Sequence, residues 1–244
     1  MWGIIPAAGA GSRIQPLAFS KELLPVGSYK QGLDERPRAV SEYLIERMVK
    51  AGATKICFVI SPGKSDILDY YGGDAFSAAI FYAVQPQPAG LCDAIFRALP
   101  LIPPEEDVCI GLPDTIWFPE SGLAHLPEGM FSFLLFPVDH PERFDAVLTN
   151  ENSEVLEVVV KKSSAPTKWI WGAMRLPGIV LRQLYQIWQD RQDEYLGTLV
   201  TEYLMRGGRA YGFKIGESYV DVGTLNGYRE ALRLLDEHCA ANAT

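Results

Sequence analysis

The stretch GIIPAAGAGSRIQPLAFSKELLPVG, residues 3–27, decides how the rest of the chain is read. Trp2 to Ala8 is a short apolar run that ends in a glycine-rich turn, the pattern of a buried central strand feeding a phosphate-type loop. In Ala7-Ala8-Gly9-Ala10-Gly11-Ser12-Arg13 every residue before the arginine is small, so phosphates can approach the backbone N–H groups without steric conflict. A dinucleotide fingerprint would need a third glycine where Ile14 stands, and a Walker-type loop would need Gly-Lys-Ser/Thr, which is missing. A lone Gly-x-Gly is more simply a turn. Here Arg13 follows at once and Lys21 stands in Ser20-Lys21-Glu22-Leu23-Leu24-Pro25, so two cations share the segment. That combination suits a triphosphate: guanidinium clamps phosphate oxygens at two points, and ammonium neutralises charge during attack.

Working outward, Val40, Tyr43, Leu44, Met48 and Ala51 recur at helical spacing before Gly52, and Lys55 to Ile60 reads as a second buried strand. Ser65 to Tyr71 and Gly90 to Leu99 read as helices, Ala79 to Val84 and Asp107 to Leu112 as strands. This alternation implies a mostly parallel sheet with helices on both faces. After Pro119 the chain turns β-rich, with strands expected at 131–138, 146–149, 155–161 and 169–175 and a hairpin turn at Asn150-Glu151-Asn152. Helices follow at 179–192 and 199–205, strands at 210–215 and 218–222, and a last amphipathic helix from Leu225 to about Cys239. No repeat or linker interrupts the chain, so residues 1–244 are expected to form one domain, with a first half that carries the glycine-rich loop (1–119) and a β-rich half with closing helices (120–244).

The 244 residues carry a net charge of −8 and are 48% hydrophobic, enough for a large core and unsuited to nucleic acid or anionic lipid as partner. Cys57, Cys92, Cys109 and Cys239 are scattered without metal-ligand spacing, which suits reduced thiols and a cytoplasmic setting. The opening apolar run is too short for a signal peptide, and no stretch reaches the roughly 18 apolar residues of a membrane span.

Two aspartates follow strand-like runs: Asp114 in Gly111-Leu112-Pro113-Asp114 and Asp221 in Tyr219-Val220-Asp221-Val222-Gly223-Thr224. Brought together, they would offer the hard oxygen ligands that magnesium prefers. Each alone could equally be a turn former or a helix cap. In Val84-Gln85-Pro86-Gln87-Pro88-Ala89-Gly90, the Gln85 carboxamide could pair with a base edge while Gly90 admits the ring.

Taken together, these motifs resemble the sugar-1-phosphate nucleotidyltransferases of the thymidylyl and uridylyl type, over residues 3 to about 228. The resemblance lies in the Ala/Gly-rich loop, Gly-x-Arg, Pro-Leu and Lys-x-Leu-Leu-Pro-Val of the opening, in QPQPAG, and in an aspartate after the central strand with a second near Gly-Thr. It implies an α/β fold with a mostly parallel, Rossmann-like central sheet and a β-rich acceptor-binding half, GT-A-like in character. It also implies nucleotide contacts from Ala7, Ala8, Gly9, Ala10, Gly11, Ser12, Gln85, Pro88 and Gly90, catalytic roles for Arg13 and Lys21, and a magnesium ion on Asp114 and Asp221. The expected substrates are dTTP or UTP and a sugar 1-phosphate, with pyrophosphate released.

The acceptor half departs from the pattern. Glu-Glu-Lys-Pro of the family stands here as Val160-Lys161-Lys162-Ser163, and Tyr-Gly after Pro-Glu-Arg as Phe144-Asp145. Lys162 aligns with the lysine that holds the acceptor phosphate, Lys161 replaces a sugar-binding glutamate, and Asp145 either takes over the sugar hydroxyls or closes the pocket to a pyranose. Trp169 and Trp171 share one strand face and, with Gly172, form either an acceptor wall or core. Longer family members carry additional C-terminal helices for regulation, so end-product control is not expected, and monomer and homodimer both stay open. The alternatives are a cytidylyl- or guanylyltransferase, a silent nucleotide-sugar sensor, and a nicotinamide oxidoreductase. The last is disfavoured because Val59-Ile60-Ser61 ends the second strand without an acidic residue.

Overall fold

The computed structural model describes residues 1–162 and 165–241, and the side chains of all of these but 31 and 239–241. Ser163 therefore lies outside the described residues, and the Cys239 thiol outside the described side chains. In chain order the strands are β1 (Trp2–Pro6), β2 (Pro25–Gln31), β3 (Asp34–Ala39), β4 (Lys55–Ile60), β5 (Asp74–Ala75), β6 (Ala78–Val84), β7 (Asp107–Gly111), β8 (Thr115–Phe118), β9 (Ser132–Pro137), β10 (Asp145–Thr149), β11 (Val155–Val160), β12 (Trp169–Pro177), β13 (Tyr211–Phe213) and β14 (Ser218–Asp221). The helices are α1 (Val40–Lys50), α2 (Ser65–Tyr71), α3 (Gly90–Arg97), α4 (Gly178–Arg191), α5 (Leu196–Met205) and α6 (Leu225–Ala241).

A ten-stranded sheet runs β11-β10-β12-β7-β1-β4-β6-β5, with β9 pairing β12 and β13. Its centre, β7-β1-β4-β6, is parallel, and β12 adds to β7 in the antiparallel sense. Alternation along the parallel strands divides the core between the two faces. Ile4 and Cys57 point to the side covered by α3, α4 and α5, while Ile5 and Phe58 point to the side covered by α1 and α2. The continuous apolar runs read from the sequence follow from this: strands buried on both faces have no polar side to show.

Four strands were not read from the sequence: β2, β3, the short β5 and β8. Residues 25–39 form the β2–β3 hairpin, turning at Gly32 with φ +63°. Thr115-Ile116-Trp117-Phe118 forms β8, which leaves the main sheet after Asp114 and pairs only with β14. Gly172 also differs from expectation. The β12–β9 register shifts between Trp171 and Ala173, and a Cβ at Gly172 would meet the Phe136 and Tyr219 rings at 2.5 and 2.7 Å. Gly172 thus makes room for aromatic packing on the face opposite Trp171 and forms no acceptor wall. Among the described residues no helix is long and apolar enough to cross a membrane.

The last helix is set against β14 by a glycine. A Cβ at Gly227 would lie 1.8 Å from the Asp221 carbonyl oxygen, so only glycine lets the first turn of α6 reach the end of that strand. Gly227→Ala is expected to destabilise the protein by about 3 kcal/mol in urea unfolding, the upper range for forced overpacking. Leu225→Ala, at a position 57% exposed, should change stability by less than about 0.5 kcal/mol.

Candidate active site

The four parallel strands β7, β1, β4 and β6 present their C-terminal ends side by side, the edge at which open α/β sheets bind ligands. From β7 comes Asp114, from β1 the loop Ala7–Arg13, from β4 the segment Ser61–Asp66, and from β6 Gln85. Asp221 arrives from far along the chain. Antiparallel pairing of β14 with β8 sets Asp221 opposite Thr115, and the Val222 N–H continues the ladder onto the Asp114 carbonyl at 2.8 Å.

The two carboxylates converge. The position a Cβ would take on Gly223 is 2.8 Å from Asp221 Oδ1, 3.1 Å from Arg13 Nη2 and 3.2 Å from Asp114 Oδ2. The Gly223 N–H donates to Asp221 Oδ1 at 2.7 Å and fixes that carboxylate's orientation. Each acid is paired with one of the two cations of the opening segment. Lys21 Nζ donates to Asp114 Oδ2 at 2.6 Å, and Arg13 Nη1 to Asp221 Oδ2 at 3.0 Å. Burial works against the Lys21 charge, but the Asp114 carboxylate, with Glu22 and Asp221 behind it, holds the ammonium above its ordinary pKa. It stays protonated.

The glycine-rich loop rides on Lys21. Gly11 has φ +66°, and a Cβ there would lie 2.7 Å from Lys21 Cδ, so the residue is needed both for its backbone angle and for the lysine stem. None of the N–H groups of Ala8 to Arg13 donates within the described protein; the first amide to do so is that of Ile14, to the Gly11 carbonyl at 3.1 Å. Gly9, Ala10 and Ser12 are exposed. A run of free, exposed amides beside two cations is an anion cradle.

Sequence reading missed the supports of this loop. Ser20 donates through its N–H and hydroxyl to Asp66 at 2.6 and 2.7 Å. Lys64 donates to both Glu22 oxygens at 2.7 and 2.8 Å and to the Ala7 carbonyl at 2.6 Å. Burial pushes the Glu22 carboxyl up and the Lys64 ammonium down, and their contact opposes both shifts. The only signal available was position: Lys64 and Asp66 follow directly on β4, at the ligand edge.

Gln85 is buried, and its amide donors are engaged within the protein, to the Gly90 carbonyl at 3.1 Å and Asp93 Oδ2 at 2.8 Å. The reverse orientation would set an amide oxygen against a carboxylate, so Oε1 is the face left for a ligand. The expected donate-and-accept pairing therefore reduces to acceptance. Gly90, with φ +84°, does not make room for a ring at its missing Cβ: that space is taken by the Glu194 backbone, 2.9 Å away. Pro88 is exposed beside it.

A cavity of about 670 Å³ runs from Asp114 and Asp221 past Tyr219 to Asp145, Lys161, Trp171, Glu194 and Tyr195. Trp171 is both wall and core, lining this cavity while 6% exposed among the residues packed under α4 and α5; Trp169 packs against that core and carries the Lys168 and Lys214 ammonium groups, each 5.7 Å from its ring centre. Burial raises the Asp145 carboxyl above its ordinary range, against the Lys161 charge and the Trp171 indole, and Asp145 Oδ1 has no partner. Of the two lysines, Lys161 faces the cavity, its ammonium 5.1 Å from the Tyr195 ring centre. Lys162 points away, 66% exposed and 3.9 Å from Glu157. Lys161, and not the Lys162 expected to hold the acceptor phosphate, turns to the cavity because β11 stops at Val160 and Lys161 takes φ +40°, which breaks the strand alternation.

Among the described residues no group of three or more His, Cys, Asp and Glu gathers as a metal site. Asp114 and Asp221 do fit a hard divalent ion in kind, as two carboxylates facing one point, with room for phosphate oxygens as further ligands.

Gly223→Ala places a methyl group between the two carboxylates. It should lower turnover about 100-fold while leaving the thermal midpoint little changed, because a displacement of about 1 Å at a reacting centre costs on that order. Steady-state kinetics beside a thermal melt checks this; unchanged turnover would mean that the point between the acids is not used.

Comparisons with known proteins give the family and the fold. Residues 2–238 match the family model described as nucleotidyl transferase. A glucose-1-phosphate thymidylyltransferase of Neisseria meningitidis is 30% identical over 178 residues, covering 69% of this chain and 58% of that protein. The chain thus spans well under two thirds of the length of that relative. The UTP–glucose-1-phosphate uridylyltransferase AglF of Haloferax volcanii is 25% identical, with 97% of each covered. Among solved structures, a UTP-bound UGPase from Acinetobacter baumannii superposes with a TM-score of 0.76 at 20% identity, covering 96% of this chain and 92% of that one. A UDP-glucose pyrophosphorylase complexed with UDP-glucose gives 0.78 at 20% identity, over 97% and 98%. Strand order, cradle and paired aspartates come together with these likenesses, and the chain belongs to the nucleotidyl transferase family.

Proposed function

We propose that this protein transfers a nucleoside monophosphate from dTTP or UTP to a sugar 1-phosphate, as an enzyme of nucleotide-sugar synthesis, with magnesium held by Asp114 and Asp221. The observation that carries this reading is the meeting of two carboxylates, two cations and a run of free amides at one sheet edge. The relatives' printed activities supply the class of donor and acceptor.

The triphosphate lies along the loop, where the amides of Ala8 to Arg13 donate to its oxygens and Lys21 and Arg13 offset its charge. An acceptor phosphate oxygen attacks the α-phosphorus in line, the bond to the bridging oxygen breaks, and pyrophosphate leaves without a covalent enzyme intermediate. Magnesium, when bound, supplies positive charge at the phosphate oxygens. Both cations are carboxylate-bound in the free protein, so nucleotide binding gives them phosphate partners in exchange. Gln85 Oε1 is an acceptor for the ring N3–H that uracil and thymine share. At the far end, Asp145 takes hydroxyl donors and Lys161 the acceptor's anionic group, with Trp171 as the flat wall between.

A cytoplasmic setting suits the thiols: Cys57, Cys92 and Cys109 are free and buried, and burial pushes each up to about 12, leaving them unreactive.

Pyrophosphate release, measured with magnesium and each common triphosphate against a panel of sugar 1-phosphates, should be greatest with dTTP or UTP. Lys21→Met should lower that rate about 300-fold or more, the scale of losing one charged donor at a reacting phosphate, with an unchanged circular dichroism spectrum. Full turnover by this variant, or no release with any pairing, would overturn the reading.

A further inference from the structure

We infer that Lys64 is a positioning residue that sets both parts of the phosphate cradle, the backbone loop and the Lys21 ammonium, from beneath. The inference rests on the nucleotidyl-transfer reading and extends it to a residue that never meets substrate.

Lys64 is 8% exposed, yet its ammonium carries three short contacts: both oxygens of Glu22 and the Ala7 carbonyl. Its partners lie on either side of the cradle. Ala7 follows directly on the central strand β1, its own N–H held by the Val59 carbonyl at 2.8 Å. In a trans peptide the carbonyl and the next N–H point in opposite directions, so fixing the Ala7 carbonyl on Lys64 turns the Ala8 N–H away from it. That amide is the first of those without a protein acceptor. Glu22 is the neighbour of Lys21, and its side chain is 1% exposed. With Glu22 drawn to Lys64 and Ser20 held by Asp66, Lys21 is fixed on both sides and sent to Asp114. One ammonium thereby couples the direction of an amide to the position of a cation.

A purely structural role makes a different prediction. A buried ion pair can often be replaced by neutral groups with little loss of stability, whereas removing one partner leaves a buried charge. The double variant Glu22→Gln/Lys64→Met is therefore expected to fold, with the tether to Ala7 gone. Calorimetry with UTP and magnesium should then show about tenfold weaker binding, the scale of a lost charge-assisted hydrogen bond. Turnover should fall about 30-fold from misplacement, with the KM for the acceptor within about twofold of wild type.

Glu22→Gln alone keeps the Lys64 contact to Ala7 and an amide oxygen for the Lys64 ammonium, so UTP affinity and turnover should each fall by about threefold, less than in the double variant. Lys64→Arg keeps a cationic donor, so UTP affinity should recover to within about threefold. A double variant with wild-type UTP affinity and turnover, or an arginine variant that folds with its loss confined to acceptor KM, overturns the inference; the arginine variant decides alone should the double one not fold. Wild-type protein that binds neither UTP nor dTTP would instead remove the functional reading itself.

Discussion

The site depends on one strand register. Residues 114 and 221 are joined because β14 lies antiparallel on β8, and a slip by one residue would turn the Asp221 side chain to the other face. Two glycines protect that register from opposite sides: Gly227 lets α6 close on the Asp221 backbone, and Gly223 leaves open the point between the carboxylates. Two carboxylates this close repel each other by a few kcal/mol at an effective dielectric of about 20. The protein offsets this with Lys21 and Arg13, one cation on each acid. A chain of net charge −8 therefore offers a polyanion a locally neutralised edge lined with free amides.

Everything else at the nucleotide end follows from the order of the parallel strands. Because β7, β1, β4 and β6 are neighbours, the turns that leave them are neighbours too, although they come from residues more than a hundred apart. Positioning groups from β4 can thus support a loop from β1, and a loop from β1 can face an acid from β7.

The parallel centre and its loop were legible because they are local patterns: unbroken apolar runs, glycine spacing, and cations where a bare turn has no use for them. What stayed hidden was non-local. Nothing near Thr115–Phe118 says that these four residues leave the main sheet for a partner a hundred positions later, nor does Glu22 point to Lys64 across 42 residues. In the acceptor half, Trp169 and Trp171 do share one face, toward the core under α4 and α5, and Gly172, as their neighbour on the strand, faces the other way. The left-handed turn at Lys161, just past the end of β11, is a backbone feature that alignment of Lys161-Lys162 with a family motif does not show. Gly90 fits a glycine rule, but the space it leaves is occupied by Glu194 rather than a ligand.

The acceptor end carries this chain's individuality. Asp145 brings a buried carboxylate with a free oxygen, and Lys161 brings a cation against Tyr195, so that end asks for hydrogen-bond donors and an anion in close succession. All of it matters only if the two remote aspartates act on one ion. Electron paramagnetic resonance of manganese, titrated into the protein with UTP, measures this directly. The account expects Asp114→Asn and Asp221→Asn each to weaken formation of the ternary complex at least about tenfold, as loss of a metal-ligating carboxylate should. Metal binding unchanged in either variant would contradict it.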